Sequence, residues 1–391
     1  MKGFFRSKLV LAVVALAIVL VGSGAPKVTL AHAAGASAAL PCGGWSIVPS
    51  PNASTANNEL LGVAIRHKKD AWAVGDYTDA STPVIHTLTE HWDGSSWSVV
   101  PSPDAGSSLN ILQKVAPIPG TKELWAVGVS GNSSGPQQTL IEHFDGTSWS
   151  IVPSPNIGTA NNVLNDVVAL SKSDAWAVGN SPSTQTLIEH WDGVSWSLYP
   201  SPVTPVAAGL QAITQVPETN ELWAVGFAQP NTLTLHFDGT SWSIVPSPNV
   251  NSPQFNVLLG AAAAASNDVW ALGSYGSFGN SVFVLALHWD GSTWSVVSTP
   301  NPGPTNNAVR AVALIPDTNH IWAVGLAGTV STFQALIEQW DGTSWSVVST
   351  PSTGTSQSSL AGVDARANEA WAVGSQASSG LSQTLIEHFW C

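Results

Sequence analysis

The sequence predicts an all-β fold: a seven-bladed β-propeller of four-stranded antiparallel blades, the last blade closed by the N-terminal strand. Three observations predict it. A Trp-centred run recurs at Trp72, Trp125, Trp176, Trp223, Trp270, Trp322 and Trp371, with spacings of 53, 51, 47, 47, 52 and 49 residues. A period near 50 marks supersecondary units that bury their faces only against neighbours. A hairpin pattern recurs with it: TLTEHWDGSSWSVVPSP at 87–103 returns at 139–155, 186–202 and 232–248. In each copy two runs flank an Asp-Gly turn, which supplies the positive φ of a tight reversal. Composition agrees, since 34 Gly, 26 Pro and only 9% charged residues favour turns over helix.

Residues 1–33 read as an export signal. MKGFFRSK is basic, residues 9–22 are apolar, and Ala31-His32-Ala33 is an A-x-A cleavage site. The apolar run is shorter than the ~20 residues that span a bilayer, so no stable membrane insertion is expected after cleavage; an uncleaved anchor is the alternative. The expected setting is bacterial, secreted or at the cell surface, where disulfides persist. Residues 34–41 form a short lead and residues 42–391 the propeller.

Each period holds four strands. The first is rich in small residues, as in LLGVAIR (60–66), and suits a crowded inner position. The second is the AWAVG run, the third TLIEHW and the fourth SWSVVP. Pro-Ser-Pro after the fourth suits an outer edge that must not recruit another chain. A stack of separate two-sheet domains is the alternative, but no linker interrupts the period.

The last copy lacks its fourth strand, because the chain stops at Phe389-Trp390-Cys391 where a turn and SW should follow. Residues 44–51, GWSIVPSP, are a fourth strand with no third strand before it. The two ends should therefore meet in one composite blade, built from 42–51 and 360–391. Cys391 and Cys42 both align with the Gly of the missing turn, so a disulfide there would replace the lost connection, provided the Cα atoms come within about 7 Å. Two free thiols are the alternative.

Of the 19 Trp, seven lie in second strands, seven open fourth strands and four lie in third strands, leaving Trp390. Ring-repeated Trp is expected to pack blade against blade.

With a Gly after each second strand (Gly75, Gly128, Gly179, Gly226, Gly273, Gly325, Gly374) and an aromatic and a Trp at the outer hairpin, the repeat resembles the kelch-like class of β-propellers over essentially all of 42–391. It departs in having one Gly where kelch has two, and in placing aromatic and Trp five apart, as in Trp92 and Trp97. The resemblance implies a propeller fold that mostly serves as an interaction platform. The turn also resembles the Asp-box of sialidases, yet Asp93-Gly94-Ser95-Ser96-Trp97 lacks the residue which that motif places between Asp and Gly.

Net charge is -13, and -17 once Lys2, Arg6, Lys8 and Lys27 of the signal are removed. Eight Lys or Arg remain, too few for a nucleic-acid footprint. Arg66, Arg310 and Arg366 stand at non-equivalent places, which argues against a sialidase cluster of arginines on a substrate carboxylate. Six third-strand histidines (His91, His143, His190, His236, His288, His388) are expected to hydrogen-bond structurally, since they are spread round a ring; no metal site or cofactor is expected. Acids two before six of the seven second-strand Trp (Asp70, Glu123, Asp174, Glu221, Asp268, Glu369) and in the Asp-Gly turns are expected to ring one face. Asp166 and Asp364 on first strands are the carboxylates that could face a channel.

Variation between copies is concentrated in the loops joining second to third strands, on the opposite face. Variable loops on a rigid scaffold are where binding usually resides. The candidate ligand-binding residues there are Tyr77, Asp79, Phe227, Tyr275, Phe278 and Phe333. The expected function is an interaction module, monomeric, whose loop face binds a protein or a glycan. A glycan hydrolase or lyase acting at the channel mouth, and a structural cell-surface protein, are the alternatives.

Overall fold

Alternating apolar residues and Gly-bearing turns produce strands throughout the computed structural model, which describes residues 43–132, 135–181, 185–250, 254–277, 281–378 and 380–390. These residues form 28 strands and no helix. They belong to one compact unit, residues 34–391. β1 is Trp45–Ile47. A first four-stranded group holds β2 (Asn58–His67), β3 (Asp70–Thr78), β4 (Ile85–Trp92) and β5 (Trp97–Val99), and a second β6 (Leu109–Pro117), β7 (Leu124–Gly131), β8 (Gln138–Phe144) and β9 (Trp149–Val152). Next come β10 (Val163–Ser171), β11 (Asp174–Asn180), β12 (Leu187–Trp191) and β13 (Trp196–Leu198), then β14 (Ala208–Gln215), β15 (Leu222–Ala228), β16 (Asn231–Phe237) and β17 (Trp242–Ile244). They are followed by β18 (Phe255–Ala265), β19 (Asp268–Gly276), β20 (Val282–Trp289) and β21 (Trp294–Val297). β22 (Asn306–Leu314), β23 (Ile321–Gly328), β24 (Phe333–Trp340) and β25 (Trp345–Val348) form another group, and β26 (Gln357–Arg366), β27 (Glu369–Ser378) and β28 (Leu381–Trp390) end the chain.

Within each group consecutive strands pair antiparallel. The group β26–β27–β28 takes its fourth strand from the other end of the chain: β1 pairs with β28, Trp45 opposite Phe389. The first strands lie side by side, β2 against β6, β6 against β10 and so on to β22 against β26, and β26 also lies against β2.

The core is divided among the interfaces between neighbouring groups. Leu60, Val63, Leu88 and Trp97 of one group pack against Trp371, Val373 and Ile386 of another, and the same scheme recurs at the next contact with Trp72, Val74, Leu112 and Trp149. Each fourth-strand Trp meets the second-strand Trp of the preceding group edge-on, as in Trp97 with Trp371 (5.2 Å, 86°) and Trp294 with Trp223 (5.2 Å, 90°). Such aromatic pairs add ~0.5–1.5 kcal/mol beyond the area they bury. The expected packing role of the Trp repeats is what the structure shows.

Two glycines explain their conservation of type within the repeat. A Cβ at Gly75 would stand 2.0 Å from the Glu59 carbonyl oxygen, so the second strand approaches the first too closely for any side chain. Gly94 has φ 97°, and it lets Asp93 close the β4–β5 turn, where the Asp93 N–H donates to the Ser96 carbonyl at 3.3 Å.

Candidate functional site

The acids of the repeat are engaged with one another's neighbours. Asp70 accepts from Trp72 Nε1 at 3.1 Å and contacts His91 Nε2 at 3.1 Å. Asp174 does the same with Trp176 and His190, Asp268 with Trp270 and His288, and Glu369 with Trp371 and His388. Glu123 and Glu221 pair with His143 and His236, and Lys172 adds a 2.6 Å bond to Glu123. Asp70 is also bonded by Arg66. The turn aspartates cap their own hairpins: Asp290 Oδ1 accepts from the Ser292 hydroxyl at 2.7 Å and from the Thr293 and Ser292 N–H groups at 2.8 Å, and these bonds, the hydroxyl's first, hold its carboxyl down to about 2. The repeated His and acid positions are thus structural.

The inner strands line an open pocket of about 230 Å³, with Lys114, Asp166 and Asp364 among small apolar residues. Burial raises both aspartates. Each ties two strands: Asp166 accepts from the N–H of Val167 (2.8 Å) and of Ile213 on β14 (2.9 Å), and Asp364 from Ala365 (2.9 Å) and Ile65 on β2 (2.7 Å). First strands are sheet edges, so their inward N–H groups need such acceptors. Both carboxylates are committed to the scaffold.

A second charged set breaks the repeat. Glu59 on β2 lies opposite Asp76 on β3, so two carboxylates share one face of the sheet. In the other groups the same two places hold Ile111 and Val129, Val163 and Gly179's neighbour Asn180, Gly209 and Phe227, Val257 and Ser274, Ala308 and Leu326, and Ser359 and Ser375. Burial, then the charge of Glu59, pushes Asp76 well above the usual carboxylate range. Arg310 on β22 bonds Ser359 Oγ on β26 at 3.5 Å; burial lowers its guanidinium while the charge of Glu59 supports it. Like charges directly opposite in a sheet are destabilising, so the fold itself gives no reason for this set.

The predicted loop residues fall beside that end of the strands. Tyr77 stacks on His86 (5.0 Å, 24°), which contacts Asp104 at 2.5 Å. Burial, then the charges of Asp104 and Asp79, raise the Tyr77 phenol. Asp79 accepts from the Ser81 N–H and hydroxyl, both at 2.8 Å, in a local turn. Phe227 lies opposite Gly209, Tyr275 packs on Phe283 (5.5 Å), and Phe333 is half-buried opposite Gly328. These five stand on separate groups of strands or in local turns, and no ring contact joins two of them. Phe278, Cys42 and Cys391 lie outside the described residues.

Sequence reasoning missed Glu59 and Asp76 and left Arg310 without a role. The available signal was the departure from the repeat at two paired places. Reading it needed the register across a bulge between Leu60 and Gly62.

No family model and no curated protein matches the chain. Among solved structures it is similar to one described as YCF48 bound to D1 peptide, at 14% identity and a TM-score of 0.57, over 90% of this chain and 99% of that one. With the strand order above, this likeness makes the fold a β-propeller repeat fold.

Proposed function

We propose that the chain is a secreted or cell-surface interaction module, a kelch-like propeller of seven blades, which binds a protein partner on its variable-loop face. The observation that carries this is the division of charge. The repeated histidines and second-strand acids are paired within the scaffold, whereas the non-repeated Glu59 and Asp76 lie opposite each other at the end of β2 and β3 nearest the variable loop 79–84, with the charge of Glu59 reaching Arg310 on β22. The similar solved structure, described as bound to a peptide, supports a protein partner over a glycan. Closure into a ring of seven is supported by the contacts of β26 with β2 and by the pairing of β1 with β28. Export is supported by the signal pattern of residues 1–33, with a mature chain beginning at Ala34.

Panning a random dodecapeptide phage library on the purified protein tests the reading. Enriched peptides should bind the natural chain and lose most of their affinity for a Tyr77→Ala variant that keeps the native melting curve. Peptides that bind natural chain and folded variants equally, or no enrichment at all, would sink it.

A further inference from the structure

The third strand of five groups carries a glutamate at one register position: Glu90, Glu142, Glu189, Glu338 and Glu387, opposite Ala73, Ala126, Ala177, Ala323 and Ala372. Each has 0% exposure. Both carboxyl oxygens of Glu90, Glu142, Glu338 and Glu387 are buried without a hydrogen-bond partner, and Glu189 receives only the Ser154 hydroxyl, at 3.0 and 3.1 Å. Burial pushes all five up to about 8.

Their location is an interface in every case. Strand alternation puts Glu90 on the face of Leu88 and Trp92, which packs on Trp371 and Ile386, and Glu387 on the face of Leu385 and Phe389, which packs on Trp322 and Ile337. Asp104, from the neighbouring group, is the charged residue acting on Glu142, and it too raises that carboxyl; the other four feel burial, tempered at Glu189 by Ser154. The adjoining histidines project from the opposite face, toward the second-strand acids. The remaining two groups have Leu235 and Leu287 at the same position, opposite Ala224 and Ala271. The fold therefore accepts an apolar residue there, and the carboxyl is not a packing requirement.

We propose that these five buried glutamates are proton-gated latches: each interface seats with its carboxyl protonated and loosens when the proton leaves, so the propeller is tightest in acid surroundings. The two interfaces with Leu235 and Leu287 lack the device. The sign follows from linkage. A carboxyl raised from about 4.5 to about 8 holds its proton in the native state where the unfolded chain has lost it. Its stabilisation is present in full below pH 4.5 and is lost as pH rises through 8.

Denaturant unfolding of the purified protein between pH 4.5 and 8, in 0.5 M NaCl to screen surface repulsion, reads this directly. The unfolding constant should rise with pH, by about tenfold or more over the whole range. Glu142→Leu should remove one glutamate's contribution and raise the midpoint at pH 8 more than at pH 4.5; Glu142→Gln does the same if the Leu variant does not fold. Amide protection factors should fall with pH around β4, β8, β12, β24 and β28 and hold around β16 and β20. A natural-chain unfolding constant that is flat or falling over this range, or folded variants with an unchanged slope, would overturn the proposal.

Discussion

Trp45 lies opposite Phe389, so the first described strand of the chain completes the sheet built by the last three. The ring of Trp45 also meets Trp322 edge-on at 5.2 Å, joining that sheet to its neighbour. Trp45→Ala should therefore cost about 3–5 kcal/mol, measured by denaturant unfolding, as for other large buried aromatics. A change below ~1 kcal/mol would mean that β1 contributes little to closure.

Gly43 is brought beside the Trp390 indole, where a Cβ on Gly43 would stand 3.6 Å away. The residues next to both cysteines thus meet, and we propose a Cys42–Cys391 disulfide. Peptide mapping of the unreduced protein should recover the linked pair. Reduction should lower stability by roughly 2–5 kcal/mol. Complete alkylation of both thiols in the native, unreduced protein would refute the bond.

The charge of Glu59 supports the buried Arg310 guanidinium. Arg310→Ala should destabilise by about 1–3 kcal/mol at pH 7, less than the ~3–5 kcal/mol of breaking a buried ion pair, because solvent screens part of the charge. Asp76→Asn should act the other way. Asp76 is raised by burial, so its contribution is present at acid pH and lost toward neutrality. Melting curves of the Asn variant should lie above the natural chain at pH 7 and converge with it at low pH; a lower curve at pH 7 would contradict the assignment.

The turn aspartates set the opposite limb. Asp93, Asp238 and Asp290 are held down to about 2 by hydrogen bonds from the next residues of their turns. Their contribution is present above the ordinary value of 3.8 and is lost as pH falls through about 2. Melting temperature should drop below pH 3.8, and the drop should be shallower in Asp290→Asn. An identical acid limb in that variant would show that the caps carry no linkage.

Repeats, hairpins and the strand exchange between the ends were legible because they are local or periodic: an Asp-Gly turn, a Trp every ~50 residues, a third strand with no fourth. The structural use of the histidines also followed, since ring-spread side chains cannot converge on one ion. The buried glutamates were not legible. In TLTEHW (87–92) both faces are covered, so alternation gives no inward or outward side, and Glu90 reads like the exposed partner of His91. The Glu59–Asp76 contact depends on a bulge that shifts register by one residue, and the reach of Arg310 past β26 depends on the order of strands round the channel. Neither leaves a trace in local pattern.

The bond between Ser46 and the His388 carbonyl joins positions 342 apart. During synthesis β1 emerges at the start and must wait, with Trp45 unpaired, until almost the whole chain has been made. Completion of that last sheet is thus a late, length-dependent event, slow by the rule that distant pairings delay folding. A chain truncated anywhere before β28 has no place to put its first strand.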